Sequence, residues 1–178
     1  MTCSAIVRTI GNAMAVSIVL TVGTTRPAWA AADDCGKLDA ASAATVLGVP
    51  KARANPSQGH HKQPPDNMDV FSCGYAEVSP DPLARTLLYF VYTPITKDLT
   101  SVFSSLSHPN VPGKPETFSP GIGTGSTGWV RASANGQTYD GEIAFRGAAN
   151  ITTVRVGGMP NAEAAKKALV SAGKILAK

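Results

Sequence analysis

The stretch Asp69–Pro94 limits the possible folds more than any other part of this chain. It reads as two β-strands, Val70–Val78 and Ala84–Thr93, joined by the turn Ser79-Pro80-Asp81-Pro82. The second strand, Thr86-Leu87-Leu88-Tyr89-Phe90-Val91-Tyr92, carries apolar side chains on both faces of its pleat. That is the pattern of a central strand buried on both sides. The first strand carries Cys73.

The N-terminus reads as an export signal. Arg8 supplies a positive start, Ala13–Gly23 an apolar run, and Ala28-Trp29-Ala30 a small-x-small cleavage site. The apolar run is well short of the roughly twenty residues that span a bilayer, which argues against an uncleaved anchor. Cys35 follows Ala-Asp-Asp, not a Leu-rich lipobox, which argues against a lipoprotein. The expectation is a signal peptide over 1–30 and a single α+β domain over 31–178, secreted or periplasmic, with no membrane span after cleavage. Arg8 and Arg26 leave with the signal, so the mature part keeps 14 basic and 12 acidic residues, a net charge of +2. A balance so near neutral gives no reason to expect nucleic acid or a membrane surface as partner.

Cys3 also leaves with the signal, and Cys35 and Cys73 remain for an oxidising compartment. Two free buried thiols or a metal pair are the competing readings. With no Cys-x-x-Cys spacing for metal or redox work, a structural Cys35–Cys73 disulfide is expected, worth roughly 2–4 kcal/mol.

The other elements follow from periodicity and caps. Ala40–Leu47 reads as a short helix with Asp39 as N-cap, a stripe of Ala40, Ala43, Ala44 and Leu47, and a stop at Gly48-Val49-Pro50. Pro50–Asp69 reads as a long exposed loop, and its neighbours His60 and His61 read as solvated residues with no third metal ligand at sensible spacing. After the hairpin, Thr96 or Asp98 starts a helix whose apolar face is Leu99, Val102, Phe103 and Leu106. Val111–Ser126 reads as a loop.

At the end of that loop, Gly123-Thr-Gly125-Ser-Thr-Gly128 matches G-x-G-x-x-G by spelling. A dinucleotide fingerprint must follow a strand and open a helix, whereas this one follows a proline-rich loop and leads into a strand. Three strands follow, Thr127–Ser133, Tyr139–Arg146 and Asn150–Val156, with Asn135-Gly136 as the turn between the first two. A helix from about Ala162 to Leu176, capped by Asn161, ends the chain. The fold class is α+β: an antiparallel sheet of about five strands, helices mainly on one face, in the order α-β-β-α-β-β-β-α.

Several short motifs recur in this order: Cys35 before a helix ending Val46-Leu47-Gly48, then Cys73-Gly74-Tyr75, then Pro120-Gly121-Ile122-Gly123 before a strand, then an Ala-rich terminal helix. The arrangement resembles the small exported domains of unknown function common among actinobacterial lipoproteins. Those in turn resemble the extracellular sensor domain of some mycobacterial receptor Ser/Thr kinases. The chain lacks the lipobox cysteine, so membrane anchoring does not carry over, and the resemblance brings no catalytic residues. It implies an α+β domain with a Cys35–Cys73 bridge and a ligand-sensing or binding role.

For function, the residues favour an exported, non-enzymatic binding or sensor-like domain. Its partner would be a small molecule or another exported protein, and it would be a monomer with no cofactor and no metal. No nucleophile motif, metal-ligand spacing or paired acids near a histidine is present. The ligand-binding candidates are Trp129, Arg131 and, across the Asn135-Gly136 hairpin, Tyr139, which together suit an acidic or aromatic ligand. The plain alternative for them is a Trp packed in the core with Arg131 snorkelling past it. A secreted hydrolase is a second reading, with His60, His61 or His108 as base, but Ser126 in Gly125-Ser126-Thr127 is a poor nucleophile elbow. A structural or inhibitory partner of another exported protein, contacting it through Pro50–Asp69, is a third.

Overall fold

The computed structural model describes residues 35–55, 59–63, 68–94, 98–106 and 114–178. The chain divides into Met1–Ala30 and Ala31–Lys178. The described residues all fall in the second unit, so the expected signal peptide lies outside them.

Helix α1 spans Ala40–Leu47, followed by strands β1 (Ala52–Ala54), β2 (Gly59–Gln63), β3 (Met68–Glu77) and β4 (Thr86–Pro94). Helix α2 (Leu99–Leu106) leads to β5 (Glu116–Phe118), β6 (Ser126–Ala132), β7 (Tyr139–Arg146) and β8 (Ile151–Met159), and α3 (Ala162–Leu176) follows. The strands form one antiparallel sheet in the order β1-β3-β4-β8-β7-β6-β5. β2 pairs with the same edge of β3 as β1, further along it, so the eight described strands fill seven positions.

The five strands read from the sequence are β3, β4, β6, β7 and β8, and they form the middle of the sheet. The expected count and order need correction at the edges. Pro50–Asp69 is not one exposed loop, because it contributes β1 and β2, and Val111–Ser126 contributes β5. These additions are only three to five residues long, and they are held by a neighbour's open backbone groups, not by their own pattern.

Side-chain caps open all three helices at residues expected from the sequence. Asp39 Oδ1 accepts from the Ser42 N–H at 2.7 Å, and Gly48, at φ 64°, closes α1 with its N–H on Ala44 and Thr45 carbonyls. Asn161 Oδ1 accepts from the Ala164 N–H at 2.8 Å at the start of α3. Asp98 does the same for α2 through the Thr100 and Ser101 N–H groups. α1 also gains an outside partner, since Arg85 Nη1 donates to the Leu47 and Gly48 carbonyls, each at 2.8 Å.

The two sheet faces are covered unequally. On one face, Tyr75, Leu87, Tyr89, Val130, Ile143, Phe145, Val154 and Val156 are buried with Leu38 and Leu47 of the α1 region and Ala165, Leu169 and Ala172 of α3. On the other, α2 places Val102, Leu99, Phe103 and Leu106 over Met68, Val70, Tyr92 and Ile151. Helices therefore sit mainly on one face, as expected, with α2 alone on the opposite one.

Candidate functional site

The face that carries α2 also carries the residues singled out from the sequence. Trp129 and Arg131, two apart on β6, share it, and the Arg131 guanidinium lies 5.7 Å from the Trp129 ring centroid. Tyr139 does not join them. Its register partner is Ala132, one residue out of phase with Arg131, and it packs against the core on the opposite face. The expected trio is thus a pair, because alternation along a strand sends neighbours of odd separation to opposite sides. Nor is Trp129 a core residue: it is half-buried.

In the same row, Trp129 is opposite Glu142, and Glu142 is opposite Arg155. Arg155 Nε meets Glu142 Oε2 at 2.6 Å and its guanidinium also lies 5.5 Å from the Phe90 ring. Burial pushes the Glu142 carboxyl above its ordinary range, and Arg155 pulls it part of the way back. Each charge and ring in this row already has a neighbour within the sheet, so the row forms a laterally paired surface.

The opposite face ends in a cleft that the sequence did not suggest. It has a volume of about 520 Å³. Its floor is Phe71, Tyr89, Val91, Phe145 and Thr152, contributed by β3, β4, β7 and β8. One wall is Cys35-Gly36-Lys37, another is the loop at Gly123 and Thr124, and the end of α3 at Leu176 closes a third side. Lys37 and Arg146 are the charged residues lining it, Arg146 through its backbone, and neither is acidic.

Three attachments hold the Cys35 wall. Cys35 is bonded to Cys73, with Cα atoms 5.9 Å apart. The Tyr89 hydroxyl donates to the Cys35 carbonyl at 2.5 Å, and the Tyr75 hydroxyl donates to the Leu38 carbonyl. Burial drives both phenols above their ordinary values, strongly for Tyr89, so both stay protonated donors at any physiological pH. The Gly123 wall depends on a close approach: Gly123 sits at φ 65°, and a Cβ there would be 2.4 Å from the Arg146 carbonyl oxygen. The Thr124 N–H donates to that same carbonyl, and the Arg146 N–H to Gly125 O at 3.0 Å.

The run Gly123–Gly128 leads into β6, as its flanking sequence implies, so its glycines shape a loop-to-strand entry. Ser126 Oγ accepts from the Ile122 N–H at 3.0 Å and closes that loop. Arg146 leaves β7 toward α2, where Nη1 donates to Thr100 Oγ1 at 3.3 Å. Its buried Nε has no hydrogen-bond partner among the described residues. His60 and His61 lie in β2, opposite Phe71 and Val70 of β3. Among the described residues no three His, Cys, Asp or Glu side chains are grouped to hold a metal ion, and no helix is long and apolar enough to cross a membrane.

The cleft residues went unread because their shared signal is three-dimensional. Phe71, Tyr89, Val91, Phe145 and Thr152 come from four strands, and each fits an ordinary core pattern locally. The hints in the chain were Cys35, which fixes one wall, and the glycines at 121–125, which shape another.

The class these features define is an α+β domain with an antiparallel sheet, a single described disulfide and a cleft at one end of its better-covered face. No family model, curated protein or solved structure matches the chain.

Proposed function

We propose that the protein is an exported, non-enzymatic binding or sensor-like domain that holds a small molecule in the cleft beside Cys35. The observation that carries this reading is the cleft itself. At about 520 Å³, with a floor of core aromatic and aliphatic side chains, it falls within the roughly 300–1,000 Å³ typical of small-molecule sites. The Trp129–Arg131 pair is the weaker candidate, because its guanidinium and ring are stacked on each other across an open sheet surface. Export follows from the N-terminal pattern and agrees with the oxidised Cys35–Cys73 pair.

Native mass spectrometry of the protein from its own compartment, followed by amide NMR after unfolding and refolding, tests the reading. The expected result is a co-purifying small molecule. Its return should shift the amides of Phe71, Val91, Gly123 and Phe145. Shifts confined to Trp129 and Arg131 would move the site to the other face, and no bound molecule with no shift anywhere would end the proposal.

A further inference from the structure

We infer, resting on the reading of the cleft as a binding site, that its ligand is an amphiphilic anion: an apolar chain or ring body with one acidic head group. The body is specified by the floor. Phe71, Tyr89, Val91 and Phe145 offer ring faces and branched carbons, with Phe71 and Tyr89 centroids 6.2 Å apart. The Tyr89 hydroxyl, the obvious polar group there, is already committed to the Cys35 carbonyl. Thr124, Asn150 and Thr152 are the other polar side chains lining the cleft, so a sugar or polyol would bury those of its hydroxyls that face the rings against carbon, at a desolvation penalty. An apolar body meets no such penalty.

The head group is specified by the rim. Lys37 is the one charged side chain lining the cleft, since Arg146 borders it through its backbone and sends its guanidinium to the α2 face. Lys37 is exposed and sits on the segment that the disulfide and the two tyrosine hydroxyls hold in place, so the root of its side chain is fixed at the cleft wall. The opposing field is that of α3, whose last carbonyls near Leu176 disfavour an anion beside them. That effect is confined to the final turn, so the acid belongs on the Lys37 side and the apolar body toward Leu176. A cationic amphiphile meets a like charge at Lys37 and is disfavoured.

The test uses the full oxidised chain and three probes sharing one alkyl body, each below its micelle concentration: decanoate, decanol and decyltrimethylammonium. Amide shifts and calorimetric titration should rank them in that order, with shifts at Phe71, Val91, Gly123 and Phe145 in each case where binding occurs. Lys37→Glu should weaken decanoate about three- to tenfold and leave decanol unchanged, as expected for reversing one partly exposed charge. Lys37 lies on the surface, so circular dichroism matching the parent is expected and keeps a loss of affinity interpretable. Decyltrimethylammonium binding in the cleft as tightly as decanoate, or Lys37→Glu leaving decanoate unaffected, would overturn the anion assignment while the binding site stands. If none of the three probes shifts a cleft amide while a small molecule co-purifies and does, the amphiphile assignment falls and the binding site stands.

Discussion

Strands β7 and β8 show two different environments on their two sides. Toward α3 they present Ile143, Phe145, Val154 and Val156, sealed by Leu169 and Ala172. Toward α2 they present Glu142, Ala144, Arg146, Thr153 and Arg155, of which only the part near Ile151 is roofed by the helix. One side is stabilised by excluding water, and the other by lateral pairing, Trp129 with Arg131 and Glu142 with Arg155. A cleft with an apolar floor forms only where the first kind of face runs out from under its helices, at the end where α3 stops and the Cys35 segment begins.

Truncating one large side chain on each face tests this contrast most severely. Leu169 is 0 % exposed, so Leu169→Ala should cost about 2–5 kcal/mol in urea unfolding. Trp129 is half-buried, and Trp129→Ala should cost only about 1–2 kcal/mol, through the lost stacking on Arg131 and some lost cover. Equal losses would mean that the two faces are equally core, and would return Trp129 to the packed role weighed from the sequence.

The next effect is that of the disulfide. Cys35→Ser with Cys73→Ser opens a loop of 38 residues and should lower stability by about 2–4 kcal/mol. The loss should be one-sided. Hydrogen exchange should quicken in α1 and β3 while the α2 region keeps its protection, and a uniform loss would contradict the division.

The smallest effect belongs to Glu142, which is 12 % exposed beside an Arg155 side chain that is 53 % exposed. Its carboxyl titrates above the ordinary value of 4.5 because burial outweighs the help from Arg155. The folded chain therefore holds that proton more readily than the unfolded one. The stabilising contribution is complete below pH 4.5 and is lost as pH rises through the folded value. Glu142→Gln should flatten the stability profile from about pH 4.5 upward, with a change at pH 7 under about 1 kcal/mol. A steep loss at pH 7 would show that the ion pair outweighs the burial.

Much of the sheet was legible because its signals are local. The alternation of Ile143 and Phe145 against Glu142 and Arg146, the cap at Asn161 and the Asn135-Gly136 turn each specify an element within a few residues. β1, β2 and β5 were not legible, since a three-residue strand such as Ala52–Ala54 exists only because Tyr75–Glu77 present unpaired backbone groups. The candidate pair Trp129–Arg131 could be read from strand phase, and the exclusion of Tyr139 depended on the pairing register across the hairpin.

By itself, the sequence determined the α+β class, the five central strands, the three helices and the pair of cysteines that become bonded, because hydrophobic period, caps and turn chemistry act over short spans. Only the tertiary structure decided the edge strands, the lone position of α2 and the cleft beside Cys35. Those depend on which surfaces remain after the elements pack together, and no short span of residues encodes what its distant neighbours leave uncovered.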